Sequence, residues 1–315
     1  DSGIDFSQFA SSKVANSVSN GKNYGVPYDS NTVVAAYRTD YLAQAGYTVE
    51  DMTDITWDRF IEIGKDVKAK TGMPMLTNVQ GEPDLLNMIL QSAGISVFDE
   101  NGNITPIDNE GLKEAANVYL ELVKNGILQE QTDWSGYQGS INNGTVVGTI
   151  NGSWICATIM STDQQEQSGN WAVTNMPKLN DYPGATNYSA QGGSTWSISS
   201  SCKNFDLAVD FMKTTWTGST EFYDSILKEL GAISTWMPAA GSDAYNETSD
   251  FFGGKPIYAQ IVSYGEKTPV VNKGLYWAEE KEAMGIAPAK VLEGSADLDS
   301  AITEAQATVE FNIGQ

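Results

Sequence analysis

Histidine is absent from this sequence, and cysteine occurs only twice. The lack of imidazole excludes Ser-His-Asp and Cys-His nucleophiles, and it excludes every metal site that needs a histidine ligand. Cys156 and Cys202 lie far apart and form no CxxC pair, so zinc-ribbon and thioredoxin-like sites are also excluded. Cys156 lies in an apolar run and is predicted to be a buried thiol, while a disulfide between the two stays open. We predict no metal, no cofactor and no catalytic residue.

Basic residues are also scarce, since Arg38 and Arg59 are the two arginines and the net charge is −22. Nucleic-acid binding needs a basic surface that displaces counterions from phosphates, so a nucleic-acid partner is excluded. Such an acidic surface also repels anionic head groups, which leaves neutral ligands as the natural choice. Long apolar runs are missing too, and neither a membrane span nor an opening signal peptide is predicted. The length of 315 residues allows two globular domains.

The segment Tyr24–Leu42 combines a turn, a polar cluster and a short apolar run. Asp29 and Asn31 place hydrogen-bonding groups directly before Val33–Tyr37, which has the composition of a strand buried on both faces. Polar groups at this position suit a ligand contact at the edge of a sheet. The alternative is an ordinary polar loop that leads into a strand.

Strands and helices alternate along the rest of the chain, which predicts an α/β architecture with largely parallel, helix-covered sheets. Trp134 and Tyr137 are assigned to a polar loop. The predicted helices are Thr56–Lys70 with Thr56 as N-cap, Asn109–Asn125 with Asn109 as N-cap, a helix from Phe205 capped by Asn204, Thr220–Leu230 stopped by Gly231, a helix from Gly274 interrupted near Pro288, and Asp297–Phe311.

Two loops carry clustered polar residues. Glu82 and Asp84 flank a proline just before a predicted helix, where carboxylates gain from the helix dipole and can accept hydrogen bonds from hydroxyl groups. The alternative is a pair of solvated acids that only cap the helix. Residues 98–104 superficially resemble a calcium loop, but Ile104 stands where the turn needs glycine, so Asn101-Gly102 is predicted to form a β-turn instead.

An ordered set of motifs gives this chain a family resemblance. The segments "YGVPYDSNTVVAAYRTDYLAQAGYT", "TWDRFIEIGKDVKAKTG", "INGSWI", "NWAVTNMPKL", "GGSTWSIS" and "KGLYW" occur in the order found in extracellular solute-binding proteins of ABC sugar importers. From about Ile4 to the C-terminus, the chain resembles this maltose-binding-protein-like family. The resemblance implies a two-lobed, type II periplasmic-binding-protein-like α/β fold. Because relatives begin with further β–α units, it also implies that lobe one is incomplete.

The resemblance implies lobe boundaries and a binding cleft. Lobe two is expected to take residues 33–190 and 256–315, and lobe one residues 1–32 and 191–255. A ligand that contacts both lobes would hold them closed by a hinge motion. The ligand-binding positions carried over from matching motifs are Asn31, Glu82, Asp84, Trp154 and Trp277.

Other candidates follow from residue type. Trp154 is also favoured by its position, because it lies in the first turn after a predicted strand at 146–150, where open α/β sheets bind ligands. Gln191, Gly192 and Gly193 form a segment whose backbone can approach a ligand or act as a hinge. The remaining candidates for ligand binding are Asp29, Trp196, Trp236 and Tyr276. Each of the aromatic candidates could instead be a core residue.

The predicted function is the capture of a carbohydrate by an extracellular component of an ABC transporter. Tryptophan faces would cover the apolar face of a sugar, and acids or amides would bind its hydroxyl rim. The expected partners are the sugar and the permease subunits, with the chain a monomer that is periplasmic or anchored as a lipoprotein. The alternatives are a polyamine or peptide ligand on the same fold, a carbohydrate-cleaving enzyme using Glu82 and Asp84, and a scaffold that no longer binds.

Overall fold

The structure is a computed structural model, and seven stretches of the chain are described. They are residues 2–15, 17–30, 32–99, 103–161, 166–180, 182–271 and 276–314. Three sequence predictions fall outside these stretches: the binding role of Asn31, the β-turn at Asn101-Gly102, and the start of a helix at Gly274.

The described residues form short strands. They are β1 Val18–Ser19, β2 Lys22–Asn23, β3 Val26–Pro27, β4 Val33–Arg38, β5 Leu76–Val79, β6 Leu128–Gln131, β7 Gly148–Gly152, β8 Trp171–Thr174 and β9 Thr195–Trp196. Every residue of β4 is buried, as its apolar run predicted. This strand therefore lies inside the protein with both faces covered.

The prediction of largely parallel sheets is wrong. In the three-stranded sheet β7-β4-β8, β4 pairs antiparallel with both neighbours, and Ala35 lies opposite Ile150 and Thr174. The β3-β9 and β1-β2 pairs are also antiparallel, while β5 and β6 run parallel. Alternation of strands and helices predicts parallel pairing only where the chain returns by a simple crossover. Here β4 meets strands more than a hundred residues later, so long excursions set their direction.

Helices surround these sheets. They are α1 Ser11–Ala15, α2 Thr39–Ala45, α3 Trp57–Thr71, α4 Asp84–Ser92, α5 Glu110–Lys124, α6 Trp134–Asn142, α7 Ile155–Ile159, α8 Phe205–Thr214, α9 Thr220–Leu230, α10 Met237–Ala240, α11 Ile257–Gly265, α12 Trp277–Leu292 and α13 Leu298–Asn312. The predicted caps of α3 and α5 are confirmed, because Thr56 accepts a hydrogen bond from the Arg59 amide and Asn109 accepts one from Leu112.

Three helix predictions need correction. Trp134 and Tyr137 lie in α6 rather than in a loop, because Asp133 caps this helix and its internal glycines hide the helical pattern. The helix α12 continues through Pro288 instead of breaking there, held by its packing on α13. Asn204 precedes α8 but makes no side-chain capping hydrogen bond.

Buried apolar side chains form three clusters. The first lies between β4, α3, α4, α5, α12 and α13, and it draws only on residues 33–190 and 256–315. The third is smaller, includes Phe9, Val26, Tyr223 and Trp236, and draws only on residues 1–32 and 191–255. The second draws on both sets, since it contains Phe252 together with Val34 and Ile261.

Both cysteines are free thiols, and Cys156 is buried as predicted. Burial raises its pKa to about 12. Within the described ranges, no helix combines the length and the apolarity that crossing a membrane requires. The same ranges contain no cluster of acidic or cysteine side chains able to hold a metal ion.

Candidate functional site

Two cavities differ in the chemistry of their walls. The larger, of about 410 Å³, lies beside Ser30, Thr32 and the 265–271 segment, and none of its lining residues in the described chain is aromatic. The smaller, of about 300 Å³, is lined by Asn78, Val79, Glu82, Asp84, Trp134, Tyr137 and Asn151. We call the smaller one the aromatic cavity. It combines flat apolar surfaces with a few polar groups, as small-molecule sites do.

The polar floor of the aromatic cavity begins at the end of β5. Asn78 is buried, and its amide nitrogen donates hydrogen bonds to the carbonyl oxygens of Val79 and Glu82, at 3.1 and 3.3 Å. These bonds fix the turn that carries Glu82. The position of this carboxylate at the cavity therefore follows from the β5-to-α4 connection.

The first turn of α6 supplies the aromatic wall. Asp133 caps this helix by accepting a hydrogen bond of 2.8 Å from the Gly136 amide. One helical turn then brings Trp134 and Tyr137 together in a stacked pair, with ring centroids 4.7 Å apart and planes at 20°. Tyr137 is buried, whereas Trp134 is 44% exposed. Trp134 therefore has one ring face supported by protein and surface left for a ligand.

Tyr137 also anchors a buried hydrogen-bond network. Its hydroxyl lies 2.6 Å from the hydroxyl of Thr149 and accepts a hydrogen bond of 3.0 Å from the amide nitrogen of Asn151. Burial, with a smaller effect of the Asp84 charge, raises the pKa of Tyr137 to about 12. The phenol is therefore neutral at physiological pH. The network holds the ring under Trp134 in one orientation.

The two carboxylates at the cavity have different surroundings. Asp84 is the first residue of α4 and forms an ion pair with Lys281 of α12, with Nζ and Oδ1 3.2 Å apart. Glu82 is exposed, and its side chain forms no ion pair or hydrogen bond with the described residues. Within the described chain, Glu82 is therefore the cavity carboxylate with no charged partner, whereas Asp84 already contacts a cation.

Trp154 joins the same group of rings. Its ring lies 5.6 Å from that of Trp134, with planes at 49°, and it is partly buried against the second apolar cluster. A Cβ atom placed on Gly152 would lie 2.5 Å from both Trp154 Nε1 and the Gln191 carbonyl oxygen. Gly192 is also next to Trp154 Nε1 and has a left-handed φ of 79°. The structure thus brings Trp154 and the Gln191–Gly193 segment together.

Trp277 lies on a helix that contacts the cavity wall. It is the first residue of α12, four residues before Lys281, so the two side chains share one helix face. Both Trp277 and Tyr276 are half-buried and pack against the first apolar cluster. Neither residue is among those that line the aromatic cavity.

The remaining predicted residues lie elsewhere. Asp29 accepts a hydrogen bond of 2.7 Å from the Ser194 amide, and burial raises its pKa. Trp196 is 46% exposed and stacks on Trp216, with centroids 5.6 Å apart. Trp236 is buried in the third cluster, where its indole N–H donates to Gln8. Its placement fits packing rather than ligand contact.

The sequence interpretation missed the main wall of the cavity. Asn78, Asn151, Trp134 and Tyr137 all line it, yet none was among the predicted site residues. A signal for the last two was present, because Asp133 before an aromatic residue is a typical helix start. With a helix assigned there, the i, i+3 spacing would have placed both rings on one face.

The sequence of this chain matches a known protein family. The family described as bacterial extracellular solute-binding protein matches residues 4–252. This chain belongs to that family. The match covers most of the chain, including the aromatic cavity, and it confirms the resemblance inferred from the ordered motifs.

Similar members of the family carry sugar-related names. The chain is 38% identical over 276 residues to a lactose-binding protein of Rhizobium radiobacter, covering 88% of this chain. It is 22% identical over 303 residues to an arabinooligosaccharide-binding protein of Halalkalibacterium halodurans, covering 94% of this chain. These alignments span 65% and 67% of the two relatives, so this chain matches about two thirds of their length.

Solved structures of solute-binding proteins share the fold. The GacH receptor of Streptomyces glaucescens, studied unliganded and with acarbose, superposes with a TM-score of 0.80 at 19% identity, covering 98% of this chain and 76% of that one. The lacto-N-biose-bound protein of Bifidobacterium longum gives 0.77 at 23% identity, with 98% and 75% covered. The two-lobed α/β architecture predicted from the sequence is therefore confirmed.

Proposed function

We propose that this solute-binding protein captures a neutral carbohydrate, such as an oligosaccharide, at the aromatic cavity and delivers it to the permease of an ABC transporter. One observation carries the proposal. The exposed ring of Trp134, supported by Tyr137 and flanked by Trp154, faces the same cavity as the unpaired carboxylate of Glu82. The sugar-binding names of its relatives agree with it.

The chemistry of the cavity matches a sugar ring. Indole faces cover the C–H groups of one side of a pyranose, and the carboxylate and amide oxygens accept hydrogen bonds from its hydroxyl groups. Catalysis is not part of the proposal. Glycoside hydrolysis needs two carboxyl groups that flank the scissile bond. Glu82 and Asp84 are instead two residues apart at the start of α4, and Asp84 forms an ion pair with Lys281.

The organisation around the cavity is proposed to follow the family. Lobe two takes residues 33–190 and 256–315, which supply the whole first apolar cluster, and lobe one takes residues 1–32 and 191–255. The glycines at 192 and 193, both with positive φ, lie where the chain passes between the lobes and suit a hinge. The protein acts outside the cytoplasm as a monomer, either periplasmic or anchored as a lipoprotein.

The test is a calorimetric binding screen with lactose, lacto-N-biose and arabinooligosaccharides. The Trp134→Ala variant should weaken binding of the tightest ligand by at least about 1 kcal/mol, roughly fivefold, because the stacking surface is lost. Phe311→Ala is the matched control, since this ring is 84% exposed on α13 and should leave affinity unchanged. Saturable binding that Trp134→Ala does not alter would contradict the placement of the site, and turnover of the sugar would contradict the binding role.

A further inference from the structure

The ion pair between Lys281 and Asp84 is a built part of the cavity wall. Both side chains are largely shielded, with 30% and 27% of their surfaces exposed, and the charged atoms are 3.2 Å apart. Asp84 itself lines the aromatic cavity, while Lys281, which is not a lining residue, contacts Asp84 from α12. One of the two carboxylates at the cavity is therefore compensated by a cation from another element of the fold.

A second contact fixes the helix that carries this lysine. Gly285, one turn after Lys281 on α12, lies against Pro83 so closely that an added Cβ would be 2.7 Å from the proline Cβ and 3.0 Å from its nitrogen. The helix α12 thus contacts the segment 82–84 at two successive turns, through Lys281 and through Gly285. The position of Lys281 beside Asp84 is therefore set by the packing of α12 as well as by the ion pair.

The arrangement determines how much negative charge a ligand meets. Glu82 and Asp84 are the carboxylates that line the aromatic cavity in the described chain, and Lys281 pairs with one of them. A ligand at Trp134 therefore meets one uncompensated carboxylate. A cationic ligand such as a polyamine would gain most from two free carboxylates beside aromatic rings, whereas a neutral sugar needs only an acceptor.

We propose that Lys281 is a specificity-determining residue. Its ion pair with Asp84 lowers the negative charge at the aromatic cavity, and the cavity therefore binds neutral polyhydroxylated ligands in preference to cationic ones. This inference rests on the proposed function of the cavity. Discrimination arises from repulsion, because the positive charge of Lys281 repels an approaching cation and Asp84 is already paired with that lysine. Lys281 contributes through its charge and acts on the ligand through Asp84.

The experiment compares two lysine variants of the same helix. Lys281→Gln frees Asp84, whereas Lys290→Gln removes the same charge from α12 at a lysine that pairs with Glu304, outside the cavity. Affinities for spermidine and for the tightest neutral sugar are measured by calorimetry. We expect Lys281→Gln to raise the ratio of spermidine to sugar affinity about fivefold at low salt, and less at high salt because the effect is electrostatic. Lys290→Gln should leave the ratio unchanged.

A variant of the partner residue separates charge from shape. Asp84→Asn removes the carboxylate and leaves the positive charge of Lys281 uncompensated next to a residue of the cavity wall, so it should shift the ratio in the opposite direction. A shift in the same direction for both variants, or none for Lys281→Gln, would overturn the inference while sugar binding by the unaltered protein still stood. If the unaltered protein binds spermidine but none of the neutral sugars, the proposed function itself fails. Thermal unfolding of each variant verifies that it is folded.

Discussion

Glu280 offers a quantitative test of burial on α12, the helix that carries Lys281. It lies on α12 beside Lys281, it is 1% exposed, and its Oε2 atom has no hydrogen-bond partner within the described structure. The neighbouring cation does not compensate it, since the ammonium group of Lys281 lies against Asp84. Burial raises the pKa of Glu280 from its usual 4.5 to about 8. The folded protein therefore keeps this carboxyl protonated at neutral pH.

The consequence for stability has a definite sign. Between pH 4.5 and pH 8 the unfolded chain has released this proton and the folded chain has kept it, so the folded state binds more protons. Stability therefore falls as the pH rises through this window and levels off above pH 8. At about 1.4 kcal/mol per pH unit, the loss attributable to this one residue is roughly 4 to 5 kcal/mol.

The perturbation is Glu280→Gln, which keeps the shape and removes the titration. At pH 5 titration of this group should favour the variant by only about 1 kcal/mol, because this pH is just half a unit above the unfolded-state pKa of 4.5 and the folded carboxyl is still protonated. At pH 8 the variant should be more stable by several kcal/mol, because the amide needs no proton to stay neutral. The difference between the two proteins isolates this residue, since every other titrating group contributes equally to both.

The assay is urea unfolding followed by tryptophan fluorescence at pH 5, 6, 7 and 8. Glu279→Gln is the matched control, because this neighbour on the same helix turn is exposed and its variant should track the parent at every pH. Parallel stability curves for the parent and Glu280→Gln would refute the reasoning. They would mean that Glu280 ionises in the folded protein with a partner or a path to water.

Two further predictions concern packing. Gly285→Ala should destabilise the protein by about 1 to 3 kcal/mol in urea unfolding because the new methyl group meets Pro83, and a gain in stability, as helix propensity alone predicts, would contradict the close contact. Cys202 should react with a thiol reagent in the folded protein while the buried Cys156 reacts only in denaturant, and rapid reaction of both would contradict the burial of Cys156.

Local signals explain why much of the fold could be predicted. The caps at Thr56 and Asn109 and the stop at Gly231 each act within one helical turn, and each is found in the structure. The buried strand β4 and the final helix α13 also follow from apolar patterns that span only a few residues. The ordered motifs along the chain indicated the family and its two-lobed architecture.

The candidate site could be predicted only in part. Glu82, Asp84 and Trp154 were predicted and lie at or beside the aromatic cavity. Trp134 was missed because a helix with two internal glycines carries a weak local signal, and Trp236 was counted as a candidate although it is buried. A tryptophan side chain suits both a buried core and a binding cleft. Residue type alone therefore could not show that Trp134 is exposed at the cavity and Trp236 is buried.

The sequence by itself determined most of the helices, the buried strand β4 and the family to which the chain belongs, because these depend on composition and on neighbours a few residues apart. Only the tertiary structure decided the antiparallel pairing of β4, the stacking of Trp134 on Tyr137 and the pairing of Lys281 with Asp84. These contacts join residues whose sequence separation ranges from three to nearly two hundred. Their free energy depends on packing and on charge separation, which a linear pattern does not record.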